Sequence, residues 1–202
     1  MMSKSYGDHR AQTATPTVCL HERPEQVRIQ ISFSVETETA SAALAVLKRA
    51  ALRLEELVAS LRATVAVDRF ELPHDLGKQD PTPSSLHLTL TVPFAREANI
   101  WERTALLAQV DDLLRAFGQE GRKYKRRLDV HRALPVFVVA DPEVHRPSLV
   151  KRLHERARSL GDGRGVLLKE LRFDRPVEQR SLGIDRVELL LNVEGLAEVP
   201  LS

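Results

Sequence analysis

The chain is poor in the residues that build dedicated chemistry. One cysteine, Cys19, stands among 202 residues, which excludes an intramolecular disulfide and a cysteine-rich zinc site. Aromatic residues make up 4% of the sequence, too few for platforms on which bases or sugars stack. No run of about 18 apolar residues occurs, so no transmembrane helix is expected. Met1 to Pro16 is polar and has no apolar stretch of signal-peptide length, and the expected location is the cytoplasm. The formal charge of +2 gives the molecule no dominant sign.

What remains is an ordinary globular composition. Hydrophobic residues at 43% and charged residues at 29% exclude global disorder. The length suits one large domain or two small ones sharing a sheet. With so few aromatics, the core must be mostly Leu, Val and Ala. Charge is unevenly spread: Glu120 to Leu160 holds 11 Lys/Arg against 5 Asp/Glu, about +6, which leaves about −4 for the rest.

Residues 1–24 lack periodicity and are expected to form a mobile arm, with a short strand at Thr17–His21. Val27, Ile29, Ile31, Phe33 and Val35 then alternate with Arg28, Gln30, Ser32, Ser34 and Glu36, the period of a strand with one dry and one wet face. From Ala40 to Arg62, Leu44, Leu47, Ala51, Leu54, Val58 and Leu61 recur every three or four residues, the stripe of an amphipathic helix capped by Thr37 or Thr39. Thr64–Leu72 reads as a strand whose alternation changes phase, and a bulge near Asp68 accounts for the change. Pro73 to Ser85, with three prolines and one glycine, reads as a loop.

The pattern then repeats. Leu86, Leu88, Leu90 and Val92 alternate with His87, Thr89 and Thr91. A second helix is expected from Ala98 to Phe117, with Trp101, Leu106, Val110, Leu113, Leu114 and Phe117 as its stripe and Gly118 as its stop. Arg122–Ala140 reads as strand, and Pro135 divides it into two short ones. Pro147 suits the first turn of a third helix that buries Leu149, Val150, Leu153, Ala157 and Leu160. Gly161–Gly165 ends it as a turn; its position after a helix and before a strand is the reverse of a phosphate-binding loop. Strands at Val166–Phe173 and Asp185–Glu194 close the chain. The order β-α-β-β-α-β-α-β-β, with alternating strands, predicts an α+β fold: a mixed, largely antiparallel sheet with three helices mainly on one face.

The strand "VRIQISFSVET", the alanine-rich helix "ETASAALAVLKRAALRLEELVASL", the strand "LHLTLTVPF" and the basic helix "LVKRLHERARSLG" before two closing strands together resemble the SIMPL domain family (domain of unknown function 541). The resemblance covers residues 25–199 and implies a single SIMPL-like domain. It implies a non-enzymatic protein, related to stress responses, that works as a homo-oligomeric assembly or binding module. The family has no agreed catalytic residues to carry over. Many of its members are exported, and no export signal is read here.

No catalytic residue, cofactor or metal ligand is expected. The seven histidines are scattered, and none stands in an HxH or HExxH relation. Cys19 has no base or helix N-terminus evident nearby and reads as incidental. The basic run Arg122, Lys123, Lys125, Arg126 and Arg127, joined by Arg132, Lys151 and Arg152, has two readings. It forms a polyanion-binding patch, or a solvated strand edge that resists edge-to-edge pairing. The wet strand faces, rich in Ser, Thr and Gln, either meet solvent or meet another subunit.

Overall fold

The computed structural model describes residues 17–72, 83–121, 128–160, 167–172, 175–192 and 194–198. The chain folds into two compact units, a terminal unit drawn from Met1–Glu22, Asp141–Arg180 and Val187–Ser202 and a central unit drawn from Arg23–Ala140 and Ser181–Arg186.

The terminal unit begins with β1 (Thr17–Glu22), within the segment expected to be an arm. The central unit follows with β2 (Gln26–Val35), α1 (Ala40–Val58), β3 (Thr64–Glu71), β4 (Ser84–Pro93), α2 (Ile100–Gly121), β5 (Leu128–Arg132) and β6 (Val136–Val138). The terminal unit resumes with α3 (Arg146–Leu160), β7 (Leu167–Arg172), β8 (Glu178–Gly183), β9 (Arg186–Asn192) and β10 (Glu194–Glu198); residues 181–186, at the tip of the β8–β9 hairpin, belong to the central unit. Every strand pairing with a described register is antiparallel. The protein is an α+β fold whose strands divide among three sheets.

In the central unit the sheet order is β3-β4-β2-β5, with β6 also paired to β2. Two strand-helix-strand crossings, β2-α1-β3 and β4-α2-β5, interleave to give the split βαβ arrangement of ferredoxin-like folds. The apolar half of each alternation faces the helices: Val27, Ile31, Phe33, Val35, Leu88, Leu90 and Val92 are at most 1% exposed. From α1, Ala43, Leu47, Ala50, Ala51, Leu54 and Val58 complete this core. Thr39 caps α1, its hydroxyl accepting from the Ala42 amide at 3.2 Å, and the helix tightens into a 3-10 turn at Ala59–Leu61 before Arg62 takes a left-handed φ of 54°. Leu44, expected in the stripe, is half exposed.

The second helix departs further from its expected stripe. Its buried positions are Arg103, Val110, Leu114, Phe117 and Gly121, and Trp101 is 78% exposed. At about 100° per residue, Trp101 lies on the opposite side of the cylinder from Val110. The start of the helix is fixed by Asn99, whose side-chain oxygen accepts from the amides of Trp101 (2.9 Å) and Glu102 (3.1 Å), while the Glu102 carboxylate accepts from the Asn99 amide at 2.7 Å. That reciprocal cap sets the phase. Gly118 lies inside the helix, which runs on to Gly121.

Arg103 occupies a place the pattern reserves for an apolar residue. It is 4% exposed; its Nη1 donates to the Ile184 carbonyl at 3.1 Å, and its guanidinium lies 5.1 Å from the Phe94 ring centroid. Burial above all, then repulsion from Arg23, lowers its pKa, and Asp185 opposes the shift.

Two further expectations for this unit hold among the described residues. The β3–β4 register slips between Val67 and Arg69, so Asp68 is the extra residue of a bulge. The strand expected over Arg122–Ala140 is two strands, β5 and β6, separated at Ala133-Leu134-Pro135. In the terminal unit, β1-β9-β8 form one sheet and β10-β7 another. Val187, Leu189 and Leu191 are fully buried, as are Leu149 and Leu153 of α3, which packs against β1. The loop at 73–82 and the glycine-rich turn at 161–166 lie outside the described residues.

Candidate functional site: the open face of the central sheet

Both helices of the central unit pack on one side of its sheet, and the other side carries the polar half of each alternation. Register turns those alternations into rows. Arg69, His87, Ser32 and His131 stand level across β3, β4, β2 and β5. Two residues along, about 6.7 Å away, Glu71, Ser85, Ser34 and Asp129 form the next row. Gln30 and Thr89 are paired on the other side of the first row.

A depression of about 460 Å³ lies here, lined by Gln30, Ser32, Asp68, Arg69, His87 and His131 among others. The bulge tilts Asp68 onto this face, where its carboxylate accepts from the Thr89 hydroxyl at 2.7 Å. Glu71 binds Arg69 Nη2 at 2.9 Å and stands 3.4 Å from His87 Nε2. One row is therefore basic at both ends and its neighbour acidic at both ends. Chemically the surface offers hydrogen bonds and short-range charge pairing, with Ser32 at the centre of a row between two imidazoles.

The residues expected to form a basic patch are placed as follows. Arg132 follows His131 on β5 and so points to the helix side, where Nη1 donates to Asp111 of α2. Asp111 also accepts from Arg115 at 2.5 Å; the Arg132 hydrogen bond above all holds its carboxyl below the usual carboxylate range. In the terminal unit Lys151 Nζ is 4.0 Å from Glu155, and Arg152 Nη1 donates to the Cys19 carbonyl at 3.0 Å. Arg122, Lys123, Lys125, Arg126 and Arg127 lie outside the described residues.

Sequence reasoning placed His87 on the polar face but did not connect it with His131, 44 positions later. Alternation assigns His87 to a wet face, whereas His131 reads only as part of the basic run; the β2 register, which pairs Ser32 with both, brings them into one row.

No family model matches the chain, and no curated protein matches it. Among solved structures, a hydantoinase/carbamoylase family amidase from Burkholderia ambifaria is similar over 66% of this chain and 33% of its own, with 13% identity and a TM-score of 0.37. An amidase of the same family from Burkholderia multivorans covers 69% and 34%, with 16% identity and a TM-score of 0.36. The aminobenzoyl-glutamate utilization protein from Klebsiella pneumoniae covers 67% and 33%, with 15% identity and a TM-score of 0.33. The chain spans about a third of the length of these proteins, and likenesses this slight carry no argument about activity. Among the described residues, no helix is long and apolar enough to cross a membrane.

Proposed function

We propose that this protein is a non-enzymatic assembly module that pairs with a second copy of itself through the open face of the central sheet, a role in keeping with its SIMPL-like sequence pattern. The carrying observation is the adjacency of the two rows. A two-fold axis lying between the faces and parallel to the rows sets each row against the other one. Arg69 of one copy then meets Glu71 of the next, His131 meets Asp129, and the small residues Ser32 and Ser34 meet at the centre. Such self-complementarity is what an isologous interface requires.

The size is adequate. Strands β2 and β4 of ten residues, β3 of eight and β5 of five, at about 3.3 Å per residue and about 4.8 Å apart, span on the order of 500 Å² per copy, or about 1,000 Å² together. That is about the threshold a specific interface must reach.

Size-exclusion chromatography with light scattering tests the proposal. The expected mass is that of a dimer or a multiple of it; a clean monomer at high protein concentration overturns it. Ser32→Arg places a long cation at the centre of the face and is expected to return the protein to monomer with an unchanged thermal melt. The competing proposal, polyanion binding through the basic 122–158 region, rests on that segment's charge excess. It predicts heparin retention at low salt that weakens in Arg126→Ala/Arg127→Ala.

A further inference from the structure

The terminal unit contains a second polar constellation, which the assembly proposal does not use. In the β1-β9-β8 sheet, Val18, Val187, Leu189 and Leu191 are buried, so Cys19, His21 and Glu188 alternate onto the opposite face. Cys19 and His21 are two residues apart on β1, and His21 is paired directly with Glu188 of β9. One ligand atom from each, the Cys19 Sγ, a His21 ring nitrogen and a Glu188 carboxylate oxygen, all lie within 4.8 Å of one another. His21 Nε2 is 3.7 Å from Glu188 Oε1.

From these positions we infer a binding site for one zinc-class divalent cation, held by Cys19, His21 and Glu188. Zinc bonds of about 2.0–2.3 Å at tetrahedral angles place ligand atoms about 3.3–3.6 Å apart. The imidazole–carboxylate pair is already near that spacing, and the thiol needs only a small side-chain adjustment. The donor set is mixed, with one soft sulfur, one borderline nitrogen and one hard oxygen. That mixture suits zinc and cobalt and disfavours magnesium and calcium, which take oxygen ligands.

The surroundings hold the ligands in place. Glu188 is largely shielded, with its side chain 18% exposed, and Arg180 Nη1 lies 3.6 Å from its other oxygen, Oε2. Oε1 is thereby directed toward His21. Arg152 fixes the backbone at Cys19 through its carbonyl. Outer partners of this kind orient metal ligands.

Binding converts the Cys19 thiol into a metal thiolate and releases its proton to solvent. Thiolate and carboxylate together balance the two charges of the ion. Three protein ligands leave the fourth position of a tetrahedron for water or a small anion.

The test uses the full chain, stripped with chelator under reducing conditions and titrated with Co²⁺ alone, followed by Zn²⁺ competition. The expected result is one cobalt per chain, with the near-ultraviolet charge-transfer band of a cobalt–thiolate bond, displaced stoichiometrically by zinc. Cys19→Ser preserves side-chain size and is expected to abolish the band. Glu188→Gln is expected to weaken zinc binding at least tenfold, and His87→Ala, on the central sheet, to leave it unchanged. Circular dichroism of each variant reports folding independently. The inference is overturned if folded wild-type protein shows no charge-transfer band, or if folded Cys19→Ser retains zinc with wild-type affinity.

Discussion

The two units each present a polar sheet face backed by a buried apolar one, yet the faces have different chemical capacities. On the central sheet, His87 and His131 flank Ser32 from strands two spacings apart, about 9.5 Å between backbones. They stand apart as elements of a broad, evenly spaced surface. On the terminal sheet, Cys19, His21 and Glu188 occupy adjacent strands, with ligand atoms within 4.8 Å. The same period-two alternation produces both. Whether polar residues form an extended contact surface or a compact donor cluster depends on whether they sit on neighbouring strands or alternate ones.

The largest expected effects come from residues that share a strand with these faces but point inward. Phe33 is fully buried and packs at 5.3 Å from the Phe117 ring, and Phe33→Ala is expected to cost about 3–5 kcal/mol of unfolding free energy. Leu189, next to Glu188 and equally buried, is expected to cost about 2–5 kcal/mol on truncation to alanine. By contrast, metal-free Glu188→Gln keeps the side-chain shape and loses only partly exposed ion pairs, and is expected to change stability by no more than about 1 kcal/mol. Denaturant unfolding of the four proteins checks the contrast. A large loss from Glu188→Gln without metal would mean that the outer face of the terminal sheet is structural rather than poised for a ligand.

Arg103 tests the inner face of the central unit from the polar side. Its Nε has no hydrogen-bond partner, and its guanidinium is desolvated over Phe94. A buried cation so incompletely satisfied contributes little net stability. Arg103→Met keeps the packing of the side-chain stem and is expected to unfold within about 1 kcal/mol of wild type. Arg103→Ala, which leaves a cavity, is expected to cost about 2–4 kcal/mol. If the Met variant loses as much as the Ala variant, the Ile184 hydrogen bond and the charge, not the packing, hold Arg103 in place.

Much of this architecture was legible from alternation alone. Val27 to Val35 and Leu86 to Val92 name their own inner faces, Asp68 marks the change of phase in β3, and Pro135 divides β5 from β6. Trp101 was misassigned because its hydrophobicity suggested burial, whereas the Asn99–Glu102 cap sets a phase that turns it outward and brings Arg103 in. Strand β8, Glu178–Gly183, has no apolar alternation to announce it and was missed. Neither the central rows nor the terminal cluster was legible, for one physical reason. Each depends on the pairing of segments distant in sequence, Ser32 with His131 and His21 with Glu188, and alternation specifies a face but not a partner.

The smallest expected effect lies at the rim between inner and outer sides of β5, where His131 faces outward and its neighbour Arg132 turns back to Asp111. The hydrogen bond from Arg132, reinforced by Arg115, lowers the folded-state pKa of Asp111. A carboxylate with a depressed folded pKa stabilises the protein above its ordinary value of about 3.9, and that contribution disappears as pH falls through the lower folded value. Asp111→Asn removes the titrating group. The variant is therefore expected to lose less stability than wild type on acidification below about pH 4, while the two behave alike in their pH dependence near neutrality. Because the Asp111 side chain is about a third exposed, at 37%, salt is expected to shrink the difference. Urea midpoints at successive pH values measure it. Identical acid slopes in the two proteins would show that Arg132 is held by the geometry of β5 rather than by charge.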